Sequence, residues 1–238
     1  MMYACDDSLH QRFPVTNIGE YEAAIRLIDR PDFMGMGAHG SEQMTSFRIF
    51  VDEAETSPDA LQTLTKWNSI RICRESRFFD PLDEVTHVAN HSVAYDFDLS
   101  GLTVTQAVDW LAESTCVRSY MMMFPVRREF EGMQITDTYS DDRDPGQHDV
   151  SQAGFSGYPG LWLPGVTQMT LCSQKSGVTA TMKRLENPEL PGGGYRFCWN
   201  AAANNKMYFT VCSAENESVQ VAPGDRWCTK HRYEVTLV

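Results

Sequence analysis

The chain has 238 residues and a formal net charge of −12. That length supports one sizeable core, and a large single β domain accounts for it as well as two small ones. The acidic balance disfavours nucleic-acid or anionic-membrane binding through a basic surface, and the longest apolar run, Tyr120–Val126, is too short to span a bilayer.

The N-terminal stretch Met1–Asp7 is acidic and has no apolar h-region, so no signal peptide is expected and the protein should stay soluble inside a cell. Seven cysteines (Cys5, Cys73, Cys116, Cys172, Cys198, Cys212, Cys228) form no CxxC pair. Their spacing predicts free, mostly buried thiols and neither a disulfide framework nor a zinc site. Lysine is scarce and arginines outnumber the five lysines about three to one. That ratio fits a lineage bias or a surface given over to protein contacts.

The first predicted element is a helix over residues 17–30. Asn17 and Glu20 spell a capping box, Tyr21, Ala24, Ile25 and Ile28 fall on one face, and Pro31 ends the run. A glycine-rich link, Gly35–Gly40, follows and lets residues 1–40 act as an N-terminal arm. Thr45–Val51 is the first strand. Ser57-Pro58-Asp59 starts a second helix, with Leu61, Leu64 and Trp67 or Asn68 as its inward stripe. Its end is open, because Ile70–Phe79 alternates well enough to be a strand. Val93–Leu99 alternates cleanly and is a half-buried strand. A third helix is predicted from Thr103, where Thr103 and Gln106 form another capping box and Ala107, Val108 and Leu111 make the stripe.

Cys116–Phe124 and Gln134–Tyr139 are further strands. The stretch from Ser140 to Pro164, rich in Asp, Gly, Pro and Ser, is long for a loop, and such loops carry contact surfaces or domain junctions. From Val166 onward come six short strands: Val166–Cys172, Val178–Leu185, Tyr195–Trp199, Met207–Ser213, Ser218–Val221 and Tyr233–Val238. Turn-forming residues separate them, which is the pattern of an antiparallel sandwich or barrel. The predicted class is therefore α+β: an antiparallel β-sandwich over 41–238 with helical insertions, preceded by a helical arm over 1–40.

Candidate chemistry is sparse. His87 and His91 have the i, i+4 spacing of two helical metal ligands but lack the glutamate of a HExxH site. Flanked by Val85, Val88 and Val93, the segment also reads as a strand, on which the two rings would share a face without meeting as closely. The run Asp141–Asp149 is dense in carboxylates, yet Pro145 intrudes and no glutamate closes a calcium loop. Gly154-Phe155-Ser156-Gly157 approaches a nucleophile elbow but carries Tyr158 where glycine is required. Gly192-Gly193-Gly194 reads as a hairpin turn. The aromatics Tyr158, Trp162, Trp199, Tyr208 and Trp227 suit a core or a sugar- or peptide-binding surface.

With a helix over Asn17–Arg30 and strands from Val166 to Val238, the layout resembles that of the cypovirus polyhedrins, the occlusion-body matrix proteins of insect reoviruses. The resemblance is one of organisation, with no matching motif. It implies trimers packed into a cytoplasmic crystal around virions, no catalytic residue and no cofactor. The lattice contacts would come from Tyr21, Ile25 and Ile28 in the arm and from Tyr158 and Trp162. The thiols, phenols and lysines titrate at about 8.5, 10 and 10.4, which would take the net charge to about −33 and disperse such an assembly above about pH 10. Two other functions stay open. One is an intracellular enzyme or toxin using His87, His91 and the acidic loop; the other is a capsid-like or ligand-binding β module.

Overall fold

Short runs of β-branched and aromatic residues dominate the chain, and in the computed structural model almost all of them are strands. The structure describes residues 3–5, 11–16, 23–35, 41–63, 66–143, 145–151, 166–186, 189–191, 195–201, 203–212 and 217–237. The first elements are β1 (Tyr3–Cys5), β2 (Gln11–Pro14), β3 (Ala24–Leu27), β4 (Met34–Gly35), β5 (Glu42–Val51), β6 (Ala54–Thr56) and α1 (Pro58–Leu61). Next come β7 (Ser69–Phe79), β8 (His87–Asp98), β9 (Gly101–Trp110), β10 (Ser114–Arg127), β11 (Glu129–Phe130), β12 (Met133–Gln134), β13 (Thr138–Asp141) and β14 (His148–Asp149). The rest are β15 (Gln168–Ser173), β16 (Val178–Arg184), β17 (Tyr195–Ala201), β18 (Asn204–Thr210), β19 (Val219–Val221) and β20 (Arg226–Leu237).

Ten strands make one sheet, in the order β14-β13-β15-β16-β20-β9-β8-β7-β5-β6. A six-stranded sheet runs β17-β18-β10-β3-β4, with β19 also paired to β10. Pairing in both is antiparallel. The two sheets pack face to face. Phe124 of β10 meets Tyr233 of β20 edge-on at 4.8 Å between ring centroids, and Phe209 of β18 lies 4.8 Å from His231 of β20. The Tyr233 hydroxyl donates to Met122 Sδ at 3.2 Å. In the large sheet the alternation is that of a half-buried surface, as in β15 and β16, where every second residue is buried.

Two predicted helices are strands instead. Within 17–30, residues 24–27 form β3, held between β10 and β4; residues 17–22 lie outside the described set. The backbone of β3 finds its partners on both sides in the sheet, and Ala24, Ile25 and Leu27 are all buried, so tertiary pairing overrides the helical spacing. This part of the proposed arm thus belongs to the sandwich. The helix from Thr103 is β9. Thr103, Val104 and Thr105 are three consecutive β-branched residues, which lose side-chain freedom in a helix and pack well on a sheet. The supposed capping residues serve tertiary bonds: Thr103 Oγ1 accepts from Arg232 Nη1 at 3.0 Å, and Gln106 Oε1 accepts from the Ala23 N–H at 3.0 Å.

The helix start at Ser57 is real. Ser57 Oγ accepts from the Ala60 N–H at 3.3 Å and Pro58 opens the turn, but α1 spans four residues. Ile70–Phe79 is strand β7. Gln134–Tyr139 is broken between β12 and β13, and the last strand begins at Arg226, well before Tyr233. Gly101 makes the β8–β9 turn at φ +152°, where a Cβ would stand 2.3 Å from the Tyr233 carbonyl oxygen.

Candidate functional site

One face of the large sheet packs on the small sheet; the other is covered by no second large sheet among the described residues, and its register assembles a groove. Arg48, Cys73, Ala94, Thr105 and Lys230 form one cross-strand row on this outer face, and Ser46, Glu75, Ser92, Ala107 and Cys228 form the next. Charged rows flank them. On one side run Phe50, Arg71, Asp96, Thr103 and Arg232; on the other, Arg77, Asn90, Asp109 and Arg226. Small side chains thus floor a trough between taller polar walls, and the four rows span about 20 Å along the strands. Two adjoining hollows result, one of about 580 Å³ beside Phe50, Arg71 and Asp96, the other of about 220 Å³ over Ser92, Ala94, Thr105 and Ala107. They share Arg48 and Cys73.

The walls are ordered by ion pairs. Arg226 Nη1 lies 2.7 Å from Asp109 Oδ1, Lys230 Nζ 2.6 Å from Glu186 Oε1, and Arg71 Nε 3.3 Å from Asp96 Oδ1. Arg232 grips Asp98 with two nitrogens, at 2.9 and 2.5 Å, and also donates to Ser100. The Arg232 guanidinium holds the Asp98 carboxyl well below the usual carboxylate range. Burial pushes the Cys228 thiol up, so it stays protonated near neutrality. Arg48 is exposed and lies over the Phe50 ring, 5.7 Å from its centroid.

Directly beneath the floor, on the core side of the same strands, is a buried polar cluster. Glu42 accepts from Arg74 Nη2 at 2.9 Å and from the Ser76 hydroxyl, and its Oε1 lies 3.3 Å from His91 Nδ1. His91 Nε2 lies 3.1 Å from Gln106 Oε1. Burial alone would raise the Glu42 carboxyl; hydrogen bonds from His91 and Ser76, with the charges of His91 and Arg74, outweigh it and hold the pKa at about 2. The cluster ties β5, β7, β8 and β9 together, and through Ala23 it reaches the small sheet. These bonds between neighbouring strands stiffen the part of the sheet that carries the groove, although Gln106 Nε2 is buried with no hydrogen-bond partner among the described residues.

The histidine pair does not converge. His87 and His91 stand four residues apart on extended β8, which separates them by about 13 Å. His91 is buried in the cluster, whereas His87 packs on Phe79 and its Nε2 contacts the Ala89 carbonyl at 3.1 Å. Among the described residues no group of three His, Cys, Asp or Glu side chains is placed to hold a metal. In the acidic loop, Asp141 accepts from the Tyr139 hydroxyl at 2.7 Å and Asp142 from the Thr167 N–H and hydroxyl. Both carboxylates fasten strands. Of the contact residues taken from the resemblance, Ile25 is wholly buried in the core and Ile28 is 47% exposed; Tyr21, Tyr158 and Trp162 lie outside the described residues, as do Gly154–Gly157 and Gly192–Gly194. Tyr208 and Trp227 are core residues. The described cysteines, Cys73, Cys116, Cys172, Cys212 and Cys228, are free thiols.

The groove residues were missed because each is unremarkable in its own segment. The only sequence signal is the small or polar residue at every second position in Ser92–Ala94 and Thr105–Ala107, and it gains meaning once the strand register is known.

No protein-family model and no curated protein matches the sequence. Solved structures do match in shape. The α-galactosidase of Lactobacillus brevis superposes with a TM-score of 0.52 at 7% identity, over 99% of this chain and 30% of that one. The GH36 α-galactosidase AgaA of Geobacillus stearothermophilus gives 0.52 at 9% identity, over 99% and 32%. The Slr1438 protein of Synechocystis gives 0.44 at 10% identity, over 73% and 64%. No helix among the described residues is long and apolar enough to cross a membrane. The chain spans about a third of the length of the galactosidases, and at such identities the likeness establishes architecture alone: this is an antiparallel β-sandwich of a kind that forms part of those enzymes.

Proposed function

We propose that the protein is a carbohydrate-binding β-sandwich module whose ligand lies in the groove on the outer face of the large sheet. The observation that carries this reading is the trough itself: a hollow of about 580 Å³ beside the Phe50 ring and the Arg71–Asp96 pair, which adjoins at Arg48 and Cys73 a smaller one of about 220 Å³ floored by Ser92, Ala94, Thr105 and Ala107. Saccharide rings need a close approach to the floor, a flat apolar face to lie against and paired donors and acceptors for their hydroxyls. The volume is in the range of small-ligand sites. Support also comes from the shared architecture with galactosidases, one of which, AgaA of Geobacillus stearothermophilus, was captured in variant form with raffinose and with stachyose. Screening the fluorescently labelled protein on an immobilised oligosaccharide array tests the reading. Retention of a defined set of glycans, lost on Asp96→Ala, is expected; no retained glycan would overturn it.

Self-association is a second proposal. Met44 and Phe47 of β5 are 59% and 45% exposed, and β6 pairs with Ile49–Val51, so among the described residues the rest of β5 is a sheet edge with no strand paired to it. Assembly into a cytoplasmic occlusion matrix around virions, with helices flanking the sandwich, is the fuller form of that proposal. Its test is light scattering of the concentrated protein from pH 7 to 11: dispersal above about pH 10 supports it, and constant scattering or a monomer throughout counts against it.

A further inference from the structure

Among the described residues, the cations that line the two hollows are matched by carboxylates. Around the larger stand Arg48 and Arg71, with Glu53 and Asp96. Around the smaller stand Arg48, Arg74 and Arg226, with Glu75; Arg74 and Arg226 are in turn paired with Glu42 and Asp109. Neither hollow therefore carries a net charge with which to select an ion. What the larger one offers instead is hydrogen-bonding capacity. Arg71 Nε lies 3.3 Å from Asp96 Oδ1, both side chains are reached by solvent, and neither has a further polar partner among the described residues. The guanidinium keeps N–H donors and the carboxylate keeps lone pairs, side by side at one wall. Two hydroxyls on adjacent ring carbons match such a pair, because each donates one hydrogen bond and accepts another. The carboxylate accepts from them while the guanidinium donates to them, and bonds to charged groups are the stronger class. The Phe50 ring lines the same hollow and gives the apolar face of the sugar a surface to lie on.

We infer that the larger hollow selects an uncharged saccharide ring with free hydroxyls on two adjacent carbons, which the Arg71–Asp96 pair binds together. This rests on the carbohydrate reading and adds to it the charge class of the ligand and the group that is recognised.

Isothermal titration of the full chain with gluco-, galacto- and manno-configured disaccharides tests the point, each offered as the neutral sugar, the uronic acid and the amine. In the series that binds, the neutral form should be the tightest of the three. Monodeoxy analogues of that neutral sugar then locate the recognised group. Removal of either of two hydroxyls on neighbouring carbons should weaken binding at least about tenfold, the factor expected for one hydrogen bond to a charged group. Asp96→Asn and Arg71→Met should each bind the parent sugar more weakly and treat it and those two analogues alike. Both side chains are solvent-accessible, so an unaltered thermal midpoint will show that the variants fold. An acid or amine that binds as tightly as the neutral form overturns the inference while the module reading stands. So do losses confined to one hydroxyl or to non-adjacent ones, and losses that persist in full in both variants. Failure of every disaccharide to bind overturns the carbohydrate reading itself, and this inference with it.

Discussion

Replacing Glu42 by glutamine tests whether the buried cluster supports the sheet through its charge. The folded-state pKa of Glu42 is about 2, against 4.5 for an ordinary glutamate. A carboxylate whose pKa is depressed on folding stabilises the protein above its unfolded pKa, and the contribution is lost as pH falls through the folded value. A depression of this size corresponds to about 3 kcal/mol at pH 7, falling to about 1 kcal/mol at pH 3. Glu42→Gln keeps the shape and removes the charge that faces Arg74 and His91. Urea unfolding at pH 7 should therefore show the variant less stable by about 2–3 kcal/mol, and at pH 3 the gap should shrink to about 1 kcal/mol or less. A gap equal at both pH values would refute the reasoning, because it would assign the loss to packing and leave the charge without effect.

Other consequences follow from single contacts. Gly101→Val should destabilise by about 1–3 kcal/mol in urea unfolding, because the new Cβ meets the Tyr233 carbonyl oxygen at 2.3 Å and φ is +152°. Phe124→Ala removes the ring that packs edge-on against Tyr233 between the sheets, and calorimetry should register a loss of about 3–5 kcal/mol. Arg232→Met frees Asp98 from its bidentate partner. Carboxyl NMR should then show Asp98 titrating higher than in the unmodified protein, while the bonds from Ser100 and Gly101 keep it below the ordinary aspartate value.

The strands of the C-terminal third were legible because Val178–Arg184 and Gln168–Ser173 alternate and are bounded by turn residues. The β7 strand was legible only as one of two readings, since a helix start twelve residues upstream is also genuine. The two false helices came from capping-box spellings at Asn17/Glu20 and Thr103/Gln106, which are local signals. Their refutation is tertiary: β3 completes the pairing of β10, and Gln106 spends its carbonyl on Ala23 and His91. The run Thr103-Val104-Thr105 was the available warning. Strand β20 was read too short because Thr229, His231 and Arg232 are polar yet buried, and such residues look like surface until their partners are known. The groove was not legible for a similar reason. Its floor draws Cys73, Ser92, Ala94, Thr105, Ala107 and Cys228 from four strands, and only register brings them together.

The central claim is that ligand lies on this floor. Ala94 points out of the sheet in the row between Cys73 and Thr105, so an indole placed there fills the trough without entering the core. Titration of Ala94→Trp with an oligosaccharide that the unmodified protein retains, beside a thermal melt, is the most direct measurement. The account predicts affinity reduced at least about 100-fold, as for a clash across a small-ligand site, with an unchanged melting midpoint. Binding that persists at full strength in the folded variant would contradict it.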